Sequence, residues 1–392
     1  MLVVAKVLAF LLGTGIVAAT VASAVKTVVM PRAEPALLTR WVFVSLRKPF
    51  DWRVSHADDW PEADRTMARF GPFAMIVLPW VWLTVTLFGF VPIYWALGVD
   101  VPRDAFVQSG SSLLTLGFAF DHHGPTVIAS FVEATLGLGL IALLISFLPT
   151  IYQQFSRREV LVSQLDTRAG TPPTPLALFR RAERIGWVDQ LSDFWSEWER
   201  WFAEIEESHT TYPALPFFRS PRSERSWITA AGAVLDSAAL RASTLDLPPS
   251  WEAQLCLRSG YLALRSIAGA FDIDYDESPS PGDPISITRA EYDQVVADLV
   301  AEGVAVRRDL DQAWRDFSGW RVNYDTVLLA LSGLVMAPYA PWSSDRSVNY
   351  RLRLLNGRRV RRWRDGRGTE TSNGGAADDD GDRGGDPDGG VR

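Results

Sequence analysis

Few residues in this sequence have the types and spacing that covalent chemistry requires. Glu206 and His209 form one Glu-x-x-His pair, a spacing that a di-iron carboxylate site uses in two copies, and no second copy exists. A hydrogen bond near a helix end is the plainer reading. The single cysteine, Cys256, excludes an intramolecular disulfide, and no Cys/His cluster offers zinc its ligands. Neither a Gly-x-Gly-x-x-Gly fingerprint nor a Walker loop is present. His122 and His123, beside Asp121, have the chemistry to sense protons or a metal, although histidines in such places are more often simply solvated. Glu133 is distinctive, because an ionisable side chain inside an otherwise uncharged run is costly unless it meets water or a partner. It either braces a neighbouring element or makes a hydrogen bond at an interface. No nucleophile, base or metal constellation assembles, so the sequence predicts neither an enzyme nor a bound cofactor or metal.

The elements that must position these residues are written in the distribution of charge. The chain has 392 residues, of which 22% are charged, yet no charge falls between Arg69 and Asp100, and between Asp121 and Arg157 Glu133 is the only Asp, Glu, Lys or Arg. Both stretches exceed the roughly 20 apolar residues that a spanning helix needs. A third candidate, residues 7–25, lies between Lys6 and Lys26. It also fits a signal peptide, since it ends in the small residues Ala22, Ser23 and Ala24. Against cleavage stands the segment 31–71, expected to be a cytoplasmic loop because it carries Arg32, Arg40, Arg47, Lys48, Arg53, Arg65 and Arg69. That places the N-terminus outside, and the carboxyl-terminal residues inside, of a multi-pass protein of the cell membrane. Arg157 and Arg158 immediately after the third span agree. The net charge of -7 comes partly from an Asp-rich tail and does not indicate a nucleic-acid partner.

The expected outer helix 72–97 contains Pro79 and Pro92 as candidate kinks, with Trp80, Trp82, Tyr94 and Trp95 as candidate interfacial anchors. The expected inner helix covers 127–152. Between them, residues 104–114 suit a helix long enough to cross only half a bilayer, with Asp104 as its cap. The residues that follow contain Gly117 and return to the surface through Asp121, His122, His123, Gly124 and Pro125. Irregular backbone at membrane depth persists only when protein buries it or a water-filled path solvates it. The order is that of a re-entrant loop.

The run Ser112-Leu113-Leu114-Thr115-Leu116-Gly117-Phe118-Ala119 resembles the potassium-channel signature, a Ser or Thr, two intervening residues and then Thr-Val-Gly-Tyr-Gly. The frame, 72–155, is similar to the bacterial ion-channel family with two pore-lining helices per subunit. The resemblance implies a homotetramer, a selectivity filter over 115–119 and backbone carbonyls from Thr115, Leu116, Gly117 and Phe118 that replace the hydration shell of K+ or another monovalent cation. It also implies support for the filter from Ser112, Glu133 and Asp121, and a gating hinge at Gly137 and Gly139. Leu116 and Phe118 stand for Val and Tyr, and Phe120 where an Asp is usual. Ala119 replaces a glycine whose left-handed backbone would cost an alanine about 1–2 kcal/mol. These departures point to a less selective cation pore. The first span lacks the repeated arginines of a voltage sensor.

The fold class expected is therefore an all-α membrane protein. An N-terminal transmembrane helix occupies 1–30, the pore domain 72–155 and a helical cytosolic domain 156–350, with an arginine-rich segment and disordered acidic tail over 351–392. Helices are predicted over 188–205, 224–242, 251–271, 289–302 and 310–336, divided by Pro- and Ser-rich breaks. Phe194, Trp195, Trp198, Trp201 and Phe202 make an aromatic stripe read mainly as core. The cluster 351–367 suits anionic membrane lipid or the acidic tail as a partner. The competing reading is a non-conducting membrane-anchored scaffold or sensor whose cytosolic helices bind an unknown partner.

Overall fold

The amino-terminal half is built from helices, the longest of which contain the apolar runs. The structure, a computed structural model, describes residues 1–30, 37–119 and 121–347. Helices α1 (Leu2–Val28), α2 (Leu37–Val54), α3 (Trp60–Ala68), α4 (Phe70–Leu97), α5 (Pro102–Leu113) and α6 (Gly124–Ala169) come first. The three apolar stretches in α1, α4 and α6 are long and apolar enough to cross a membrane. Helices α1 and α4 run antiparallel. Lys6 Nζ meets Asp100 Oδ1 at 3.0 Å beyond one end, and further along a Cβ on Gly13 would stand 2.5 Å from the Gly89 carbonyl oxygen. Two facing glycines let the backbones approach as closely as apolar helices do when no hydrophobic force draws them together in lipid. Pro79 and Pro92 lie within α4, which runs through both.

Segment 31–71, expected as a loop, forms α2 and α3 over its described part. Its arginines suggested solvent, but they alternate with an apolar face: Val42, Phe43, Val44 and Met67 are buried. Asp59 caps α3 by accepting from the Glu62 N–H at 2.9 Å. The expected end of the inner helix near residue 152 is also displaced, because α6 continues to Ala169. Polar residues after Gln153 do not end a helix that keeps an apolar stripe, and Ile151, Val162, Leu165 and Ala169 carry that stripe onward, all buried.

The carboxyl-terminal module comprises α7 (Pro175–Arg184), α8 (Ser192–Thr211), α9 (Trp227–Ser243), α10 (Trp251–Ala270), α11 (Arg289–Ala301), α12 (Leu310–Arg321) and α13 (Asp325–Val335). Helix α7, capped by Thr174, was not predicted. The predicted helix 310–336 is two helices, because the turn between them lets Arg321 reach Asp236 and Asp325 together, at 2.5 and 2.7 Å, while Tyr324 donates to Asp236 at 2.8 Å. Helix α9 is buried along nearly its whole length. The aromatic stripe of α8 packs as core, with Trp198 and Trp201 edge-on at 4.6 Å. His209 is buried against Arg158 of α6, 3.3 Å from its guanidinium, so the histidine of the Glu-x-x-His pair is part of the core.

The module is tied to the amino-terminal helices by charge and aromatic contacts. Arg47 is buried between the rings of Phe70 and Phe217, Arg219 pairs with Asp64, and Arg40 pairs with Asp272. Residues 351–392, including the arginine cluster, lie outside the described residues, as does Phe120.

Candidate functional site

The candidate site lies where α5 is held between α4 and α6. Pro102 opens α5, since a residue without an N–H loses nothing in the first turn, and Val101 precedes it as the cap. Asp104 is thus in the first turn and not the expected cap, where its charge still suits the positive end of the helix. The 12 residues of α5 reach about 18 Å, well short of a bilayer.

The last turn of α5 is seated on α6 through a glycine. A Cβ on Gly137 would lie 2.1 Å from the Leu113 carbonyl oxygen, so any other residue there displaces α5. Gly139, the other proposed hinge, is exposed and has open space where a Cβ would be. The helix runs through both positions unbroken.

Beyond Leu113 the chain turns sharply. Thr115 and Gly117 adopt left-handed backbone, with φ of 55 and 72 degrees. Gly117 does so freely, whereas Thr115 pays about 1–2 kcal/mol. Ala119 is not among the described residues with positive φ, so the left-handed strain expected there is absent, and the strained residue of the turn is Thr115. The turn is organised by Ser111. Its carbonyl accepts from the N–H groups of Leu116 at 2.8 Å and Gly117 at 3.4 Å, and its hydroxyl accepts from the Ala119 N–H at 3.0 Å. Thr115 Oγ1 donates to the Leu114 carbonyl. Leu116 and Phe118 are 60% and 69% exposed in the single chain.

Behind the turn stands a polar core. The Glu133 carboxyl has no solvent exposure and receives Tyr94 Oη at 2.7 Å and Ser109 Oγ at 2.5 Å, one on each oxygen. The Ser130 and Ser112 hydroxyls lie 3.1 and 3.4 Å from the Tyr94 oxygen, and Gln108 Nε2 donates to Ser130 at 3.3 Å. Buried polar groups are tolerated when each finds a partner, and here they join three helices. The structure thus brings Ser112 and Glu133 together. Asp121 instead accepts from His123 Nδ1 at 2.6 Å and from Thr126, at the start of α6. The His123 hydrogen bond holds the Asp121 carboxyl below the usual carboxylate range.

Tyr94, Gln108, Ser109, Ser111 and Ser130 were missed as site residues. Tyr94 was expected at the lipid interface and is fully buried, and Trp82 is buried too. A signal was available: four polar residues at 108, 109, 111 and 112 crowd one short helix, and Ser130 precedes Glu133 by three, which places both on one helix face.

No family model, curated protein or solved structure matches the chain. Among the described residues the fold is all-helical and carries three helices long and apolar enough to cross a membrane.

Proposed function

We propose that this chain is one subunit of a homotetrameric potassium-type cation channel. The observation that carries the reading is the order of α4, α5, turn and α6. A half-length helix is clamped between two long apolar ones, and an irregular Thr115–Ala119 backbone emerges from its end uncovered. Lipid does not solvate irregular backbone, so in a membrane this turn needs protein or water around it, which copies about a central axis supply. Each copy then contributes the carbonyls of Thr115, Leu116, Gly117 and Phe118 to a path that replaces the hydration shell of K+ or another monovalent cation. The negative end of α5 would favour a cation at the inner mouth.

The Glu133, Tyr94 and Ser112 group supports the proposed filter from behind. With Gly137 occupied by α5, Gly139 is the freer of the two hinge positions in α6. The Lys6–Asp100 pair sets the N-terminus beside the connection that would face outward, and α2 and α3 supply the basic cytoplasmic side. The carboxyl-terminal module would then be cytosolic, and the uninterrupted α6 would couple it to the pore. A second reading, a non-conducting scaffold, draws on the extensive core of that same module, which is continuous with buried residues of α2, α4 and α6.

The test is potassium uptake into liposomes bearing the purified protein, compared with sodium uptake and with Gly117→Ala. The expected result is potassium uptake that the variant loses, because alanine resists the left-handed backbone at 117. A sodium ratio near unity would mark a relaxed filter. A monomeric or dimeric assembly without uptake overturns the channel and favours the scaffold.

A further inference from the structure

Below the amino-terminal end of α4 the molecule has a cleft of about 390 Å³, bounded by Phe50, Trp52 and Arg53 of α2, by Arg69, and by Phe73 of α4. Three features converge on it. Its floor is apolar and aromatic: Phe50 packs against Phe70 and Phe73 at ring distances of 5.4 and 6.0 Å, and Trp52 and Phe73 remain 67% and 45% exposed. Two guanidiniums, Arg53 and Arg69, are exposed at its rim, and neither has an ion pair or side-chain hydrogen bond among the described residues, although the arginines 40, 47 and 219 of the same region all do. Finally, Arg69 is the last charge before the uncharged run that continues to Asp100, so the cleft stands where α4 passes from polar to apolar surroundings.

We infer that this cleft binds an anionic phospholipid of the membrane leaflet that α4 enters. The headgroup phosphate meets Arg53 and Arg69, whose forked donors match phosphate oxygens. An acyl chain lies along Phe73 and the apolar start of α4, and Trp52 sits at headgroup depth, where indole rings collect. A free anion would satisfy the arginines and leave the aromatic floor in water, and a neutral lipid would leave both cations unpaired. The inference rests on α4 crossing a membrane and not on conduction, so it stands or falls apart from the channel reading.

The full chain in detergent is offered equal amounts of dioleoyl phosphatidylglycerol and dioleoyl phosphatidylcholine, and the retained lipid is extracted and counted. One arginine near a membrane surface is worth about fivefold in affinity and two about 30-fold, so phosphatidylglycerol should be enriched by about that factor. Arg53→Gln and Arg69→Gln should each lose about fivefold and the double variant nearly all of the enrichment, while Arg65→Gln, outside the cleft, should keep it. Glycerol phosphate, which has the anion without the chains, should not displace the lipid. Because the wild-type chain alone must also localise the lipid, a photoactivatable phosphatidylglycerol should crosslink within residues 49–73. Equal retention of the two lipids, displacement by glycerol phosphate, crosslinks confined elsewhere, or an unchanged double variant would each overturn the proposal. Equal retention with a change of oligomer size in the double variant would assign the cleft to a second copy of the chain instead.

Discussion

The Tyr94 hydroxyl donates to one oxygen of Glu133 at 2.7 Å while Ser109 donates to the other, so a single carboxyl group without solvent exposure joins α4, α5 and α6. Tyr94 also lies within 3.4 Å of Ser112 and Ser130, which makes its oxygen the centre of the group.

Tyr94→Phe removes that centre and leaves the buried Glu133 short of a donor. The expected loss is about 1–3 kcal/mol, read as a lower unfolding temperature in detergent. Glu133→Ala, which strands Tyr94 and Ser109 together, should lose at least as much. An unchanged unfolding temperature in both would show that the group does not clamp α5.

Gly137→Ala and Gly139→Ala should separate sharply. The first forces the Leu113 carbonyl away from α6, because no backbone oxygen tolerates a Cβ at 2.1 Å, and should destabilise by about 1–3 kcal/mol. The second adds a methyl to open space and should leave the fold intact or slightly firmer. If 139 is the hinge, Gly139→Ala changes potassium uptake without changing the unfolding temperature.

Acid should weaken the seam between α6 and α8. Burial, and then the positive charge of Arg158, hold the His209 imidazole well below its ordinary value of 6.5, so the folded chain keeps it neutral while the unfolded chain takes up a proton. This contribution is complete above pH 6.5 and is lost as the pH falls, by about 1.4 kcal/mol per unit until the folded ring itself protonates. Denaturant unfolding at pH 7 and pH 5.5 should show a smaller drop in His209→Gln than in the wild type. Equal drops would remove His209 as the cause.

Arg321→Met should be the most damaging change in the carboxyl-terminal module. Arg321 is wholly buried, pairs with Asp236 and Asp325 and donates to the Trp342 carbonyl, so its loss strands two carboxylates at about 3–5 kcal/mol. Burial already pushes the Asp236 carboxyl up, and without Arg321 it would rise further. A carboxyl raised in the folded chain costs stability wherever the unfolded chain would ionise it, so the defect should shrink in acid and grow towards neutral pH. Unfolding measured at pH 4.5 and pH 7.5 would reveal the opposite trend if the ion pair were not the reason.

The helices long and apolar enough to cross a membrane were legible because a charge-free run of that length has few other fates in water. The short helix α5 was legible too, from its flanking Pro102 and its insufficient length to cross. Less visible was the helical state of α2 and α3, whose arginines suggested solvent while Val42, Phe43 and Met67 face inward. The continuation of α6 past Gln153 was missed because the change from apolar to polar looked like an end, although it is a change of surroundings within one helix. At the site, Glu133 announced itself as an isolated charge. Tyr94 did not, since a tyrosine near the end of an apolar helix fits the interface equally well, and only its neighbours reveal that it faces inward.

By itself the sequence determined which segments are apolar enough to span and where glycine and proline interrupt them. Those properties are local, set by composition and by spacing along one helix. The tertiary structure decided that Leu113 rests on Gly137, that Ser111 and not a second glycine organises the turn after α5, and that the left-handed residues are Thr115 and Gly117. Each depends on two segments approaching within a few ångströms, which is a property of how helices pack and is not encoded in the periodicity of either one.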